Sequence, residues 1–134
     1  MIVADANLLV YLLVEGPHTA AARGVLRRDR SWAAPPLWQS EFGSALLRHV
    51  RRGDFGLPEA VAMVRHAVAI IEEREWRPSA TRVLALALGS GRSSYDCEYV
   101  ALAEQRGVPL VTADAQVLEA FPRVAVAPEA FAAR

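Results

Sequence analysis

Lysine is absent from this chain, and all fifteen basic residues are arginine. That excludes chemistry built on a lysine amine: a phosphate-loop lysine, a Schiff base, or the lysine of a receiver-type phosphoacceptor site. Cysteine is represented only by Cys97, so no intramolecular disulfide can form, and the expected setting is a reducing cytoplasm. Net charge is zero, so nothing in the overall balance draws the chain to nucleic acid; local patches or metal ions would have to do so. There is no long apolar run. The hydrophobic opening has no basic leader, carries Asp5 and reaches Glu15 soon after Val14, which reads as neither signal peptide nor membrane span. Repeats and low-complexity stretches are missing as well.

What is present is a 134-residue chain that is 53% hydrophobic, enough for one well-developed core and a single domain over residues 1–134. Short apolar runs lie at Ile2 to Ala4, Trp32 to Ala34, around Trp76, Leu110 to Thr112 and Val124 to Val126. Each is followed by a stretch of helical periodicity. This alternation predicts an α/β fold with a largely parallel sheet. Runs such as Ile-Val-Ala are continuously apolar, as strands covered on both faces require. Pro36 to Arg52 reads as an amphipathic helix with Phe42, Ala45, Leu46, His49 and Val50 on one face and a basic end. Leu57-Pro58 opens another, whose apolar stripe is Val61, Val64, Val68 and Ile71. A third runs from about Ser79 to Leu88 and stops at Gly89; a fourth runs from about Tyr95 to Arg106 and stops at Gly107.

Four acids stand out against this frame. Asp5 and Asp114 each close a strand and start a helix, so they sit at strand C-terminal ends, where open parallel sheets bind ligands. Asp96 falls in the first turn of the Tyr95 helix and Glu41 early in the helix after the second strand. Each has an ordinary structural use: Asp5 and Asp114 as helix caps, Ser93-x-x-Asp96 as a capping box, Glu41 as a solvated helix residue. Together they are harder to dismiss. Carboxylates about 6 Å apart repel by about 3 kcal/mol per pair at an effective dielectric of about 20, so a converging set calls for a cation. Hard oxygen donors favour Mg²⁺ or Mn²⁺ over zinc. His18, His49 and His66 lack ligand spacing and are assigned to surface or packing.

The segments Ile2-Val-Ala-Asp5-Ala-Asn7-Leu-Leu, Ser40-Glu41-Phe-Gly-Ser-Ala-Leu-Leu-Arg48, Ser94-Tyr95-Asp96-Cys-Glu-Tyr-Val-Ala-Leu-Ala103-Glu and Pro109-Leu-Val-Thr112-Ala-Asp114 resemble those of VapC-like PIN-domain toxins, in order and across nearly the whole chain. The resemblance implies a three-layer sandwich with a five-stranded, mainly parallel sheet flanked by helices. It also implies an Mg²⁺- or Mn²⁺-dependent endoribonuclease, the toxin of a type II toxin-antitoxin pair. By the same resemblance Asp5 and Asp96 would be the principal metal ligands and Glu41 and Asp114 would complete the acidic pocket. Asn7 and Thr112 would orient a carboxylate or a water. An activated water attacking in line would leave a 5′-phosphate.

Arg48, Arg51 and Arg52 follow Glu41 on one helix and suit an RNA backbone, or equally a solvated helix end stabilised by positive charge. Trp32, Trp38 and Trp76 read as core rather than as stacking residues, Cys97 as a small buried residue, and Glu98 as a surface or interhelix acid. Expected partners are an RNA substrate, a cognate antitoxin and a second copy of the chain in a homodimer, with no membrane. Two other readings compete: a PIN-like scaffold that holds RNA or protein without cutting, and a receiver domain. Four repelling carboxylates argue against the first and the missing lysine against the second.

Overall fold

Ile2, Val3 and Ala4 are all fully buried, which is possible only for a strand with helices on both of its faces. In the computed structural model, which describes all 134 residues, this strand (β1, Ile2–Ala4) lies at the centre of the sheet. It is followed by helices α1 (Ala6–Leu13) and α2 (Thr19–Arg28), then β2 (Trp32–Ala33), α3 (Leu37–Arg51), α4 (Leu57–Ile71), α5 (Ala80–Ser90) and α6 (Ser94–Arg106). The chain ends with β3 (Leu110–Val111), α7 (Ala115–Ala120), β4 (Ala125–Val126) and α8 (Pro128–Ala132). No helix is long and apolar enough to cross a membrane.

The strand order is β2-β1-β3-β4, parallel throughout, with Val3 opposite both Ala33 and Leu110. The chain therefore crosses over between β1 and β3, and the rim beside that crossover collects the residues that follow each strand. One cluster of 28 buried residues, including Trp32, Trp38, Phe42 and Leu102, forms the main core.

Two expectations need correction, the number of strands and the end of α5, and one that was open is settled. The sheet has four strands, not five. The run around Trp76 does reach the sheet edge, where the Ala34 N–H donates to Arg74 O and the Trp76 N–H to Ala34 O, but this is a single bridge between Ala34 and Glu75. Pro35 and Pro36 follow Ala34 and offer no N–H, so the ladder cannot lengthen beyond Ala34. On α4 the apolar stripe is split: Val61, Val64 and Val68 are exposed, while its fourth member, Ile71, is buried together with Ala60 and Ala67. Both faces of this helix are apolar, so periodicity cannot tell which is inside. Finally, α5 continues past Gly89 to Ser90 and ends at Gly91, whose φ of 74° is the left-handed geometry that a helix stop favours.

Candidate active site

Asp5 follows β1 directly and occupies the N-cap position of α1, yet its side chain caps nothing. The carboxylate instead accepts a hydrogen bond of 2.7 Å from the Thr112 hydroxyl. Thr112 follows β3, is one of only two buried polar or charged residues, and its oxygen also accepts from the Asp114 N–H at 3.1 Å. One hydroxyl thus ties the acid after β1 to the acid after β3. Asp114 does cap: its Oδ1 accepts from the N–H groups of Gln116 and Val117. Its cap role and its place beside the other acids are compatible, since Oδ2 takes no part in the cap.

Asp96 lies in the first turn of α6, where its N–H donates to Ser93 Oγ at 3.0 Å. Only this half of the expected capping box forms, so the Asp96 carboxylate is not consumed by it. Glu41, on the second turn of α3, accepts a 2.6 Å hydrogen bond from the buried Tyr99 hydroxyl. Tyr99 was not anticipated. Its position three residues beyond Asp96 on α6 is the signal that would have revealed it, because such residues share a helix face.

The acids sense one another electrostatically. Burial raises Asp5 from its ordinary 3.8 to about 6; the Thr112 bond opposes this, and the charges of Glu41 and Asp114 add to it. Glu41 is raised by burial and by the charges of Asp96 and Glu98, against the pull of Tyr99. Asp96 is raised by burial and by Asp114, with Arg92 acting the other way. No three acidic, histidine or cysteine side chains close into a metal cage. The Thr112 hydroxyl holds the Asp5 carboxylate, the Tyr99 hydroxyl holds that of Glu41, and the α7 cap fixes Asp114.

A groove of about 430 Å³ opens onto this rim, lined by Asp5, Asn7, Glu41, Arg48 and Tyr95 among others. A narrower recess brings Asp5 and Asp96 together with Tyr99 and Thr112. Among the three arginines considered for RNA contact, Arg48 alone lines the groove. Arg52 is tied to Asp54 at 2.9 Å and to the His49 ring, and Arg51 is exposed away from the groove. Glu98 is half-buried in a neighbouring cleft rather than at the open surface. Trp32 and Trp38 are core residues; the Trp76 ring is covered by the Arg106 guanidinium 3.4 Å from its centre. The Cys97 thiol is buried and pushed up by burial, opposite to what a nucleophile needs. A wider concavity of about 750 Å³ lies between α2 and α8, away from the acids; its one carboxylate, Asp29, is paired with the N-terminal amine at 2.6 Å.

The PIN-domain family model matches residues 2–126. The chain is similar to Ribonuclease VapC3 of Pyrobaculum aerophilum, at 30% identity over 124 residues, covering 90% of this chain and 95% of that protein. Its fold is similar to the crystal structure of PAE2754 from Pyrobaculum aerophilum, with a TM-score of 0.79 and 26% identity, covering 99% of this chain and 87% of that one.

Proposed function

The chain belongs to the PIN-domain family, and from that membership we propose that it is an Mg²⁺- or Mn²⁺-dependent endoribonuclease, the toxin of a type II toxin-antitoxin pair. The observation that carries this reading is the shared rim on which burial, with the charges of neighbouring acids, raises the proton affinity of Asp5, Glu41 and Asp96, Asp114 supplying part of that charge. Such a set is costly to maintain and serves the core in no way. Its donors are all carboxylate oxygens, with no nitrogen or sulfur among them, which fits a hard divalent cation. Asp5 and Asp96 would hold the ion, with Glu41 and Asp114 completing the pocket.

When bound, Mg²⁺ or Mn²⁺ supplies Lewis-acid polarisation of a phosphodiester and a water of lowered pKa. The protein's own residues supply position. Thr112 fixes Asp5 in one rotamer and Tyr99 fixes Glu41, so neither acid has to be reoriented when substrate arrives. Asn7 stands exposed in the groove beside Asp5, within reach of a substrate or water. Arg48, on the same helix as Glu41, presents a guanidinium to a phosphate and offsets the negative rim that would otherwise repel RNA. Arg51 and Arg52 are left as more distant contributors to steering.

The same reading treats residues 1–134 as one PIN domain working in a reducing cytoplasm, inhibited by a cognate antitoxin. We assign the homodimer contact to the outward stripe Leu57, Val61, Val64 and Val68 on α4, four apolar side chains at helical spacing that water covers in the isolated chain. Sedimentation at micromolar concentration that finds only monomer would remove this assignment. The catalytic reading is tested by incubating end-labelled structured RNAs with Mg²⁺, Mn²⁺ or chelator, comparing wild type with Asp5→Ala. Metal-dependent cleavage leaving 5′-phosphate ends is expected; cleavage that survives both chelation and the substitution, or 2′,3′-cyclic ends, overturns it.

A further inference from the structure

Tyr95 is 62% exposed, whereas every other tryptophan, tyrosine and phenylalanine is buried or half-buried. It stands in the first turn of α6, one residue before Asp96, and its hydroxyl makes no hydrogen bond within the chain. The ring forms the divide between two concavities. On one side is the groove with Asp5 and Glu41; on the other is a cleft of about 280 Å³ walled by Pro78, Val83 and Leu84, with Arg77 and Glu98 at its edges. Arg77 is exposed and pairs with no carboxylate, Glu98 included, and Arg48 in the groove is likewise unpaired.

We propose that Tyr95 is a stacking platform for a nucleobase flanking the bond that is cut, and that the cleft beyond it takes the adjoining nucleotide of a single-stranded RNA. The proposal rests on the nuclease reading of the neighbouring groove. Tyr95 lines both concavities, each of which also holds one unpaired arginine, Arg48 in the acidic groove and Arg77 in the apolar cleft, so that each offers a phosphate contact beside the shared ring. The apolar walls and the Glu98 carboxylate disfavour a phosphate on the α6 side of the cleft. They direct the base there and leave the phosphate to Arg77. Bases inside a duplex are already stacked on each other, so an exposed platform of this kind selects unpaired segments such as loops or ends. A protein partner seated on Tyr95 and Leu84 is the alternative occupant. Continuity with the acidic groove and an unpaired arginine in each concavity favour RNA.

The test uses the full chain, a fluorescent single-stranded RNA and the variants Tyr95→Ala, Tyr95→Phe and Arg77→Ala, with anisotropy for binding, cleavage kinetics, and melting to confirm folding. A set of RNAs each carrying one abasic residue completes it. Loss of one stacked base predicts that Tyr95→Ala weakens binding by about 5- to 150-fold, while Tyr95→Phe recovers most of the affinity. An abasic residue at one position should weaken wild type by a similar factor and weaken Tyr95→Ala no further. Arg77→Ala should lower the salt dependence by about 0.7 in log–log slope, as for one phosphate of a single strand. Unchanged RNA affinity in Tyr95→Ala, or an abasic penalty that persists in full in that variant, overturns the proposal. So does a change confined to the oligomeric state, which would make this face a protein contact. Wild type that binds RNA without cutting it refutes the nuclease reading while leaving the abasic comparison to judge Tyr95; wild type that does neither overturns both.

Discussion

Replacing Asp5 by asparagine should make the metal-free protein more stable at neutral pH, although it removes a residue of the proposed active site. Asp5 titrates at about 6 in the folded chain against an ordinary 3.8, because burial disfavours its charge. An acid whose folded pKa is raised costs nothing below the unfolded value and takes stability away as the pH climbs through the folded one. The penalty is therefore absent below about pH 3.8 and complete above about pH 7. With 1.36 kcal/mol per pKa unit, the difference amounts to about 3 kcal/mol at pH 7.5, about 1.5 at pH 5 and under about 1 at pH 4. Glu41 and Asp96 shift in the same direction and reinforce the trend. Asparagine is nearly isosteric and can still accept the Thr112 hydroxyl, so Asp5→Asn should gain up to about 3 kcal/mol at pH 7.5, or on the order of 10 °C in Tm, and much less at pH 4. Urea denaturation in chelator at these three pH values measures it. An Asp5→Asn protein no more stable than wild type at pH 7.5, or one whose advantage is the same at pH 4, would refute the reasoning.

Thr112→Val keeps the shape of a buried residue but strips the donor from Asp5 and the acceptor from the Asp114 N–H; a loss of about 1–3 kcal/mol in urea denaturation at pH 7.5 is expected. Tyr99→Phe leaves the ring in the core and frees Glu41, so melting should change little while Mn²⁺ affinity or cleavage falls by roughly 10- to 100-fold, read by calorimetry and single-turnover kinetics. Gly24→Ala would place a Cβ 2.9 Å from the Ala132 Cβ, where α2 and α8 meet. It should cost about 1–3 kcal/mol by thermal melting, and Ala132→Gly in the same chain should restore much of that.

The acids after the strands were legible because sequence marks them twice, by an apolar run that ends at Asp5 or near Asp114 and by the helical pattern that begins there. Parallel pairing of those strands then had to bring both residues to one rim. Glu41 is different: only its place early in the helix after the second strand hinted at it, nothing local distinguishes it from a solvated helix residue, and the serial resemblance gave it weight. Its partner Tyr99 is 58 residues away, and a contact of that range depends on how α3 and α6 pack. The same limit explains α4, where two adjacent apolar faces compete and packing against α3, α1 and β2 selects the one with alanines. The shortfall in the fifth strand was readable in principle, since Pro35 and Pro36 bar further pairing after Ala34. Among the arginines, chain order placed Arg48, Arg51 and Arg52 together, but helix rotation and the nearby Asp54 left Arg48 alone at the groove.

The central claim is that the carboxylates of this rim form one divalent-cation site that serves RNA cleavage. It is tested most directly by titrating Mn²⁺ into chelator-treated protein while following heat of binding and cleavage of a labelled RNA, for wild type and for Asp96→Asn. The account predicts that the two signals rise together in wild type and are both lost or strongly weakened in Asp96→Asn, whose fold should persist. Cleavage at full rate before any Mn²⁺ is added, or Mn²⁺ binding and cleavage untouched by Asp96→Asn, would contradict it.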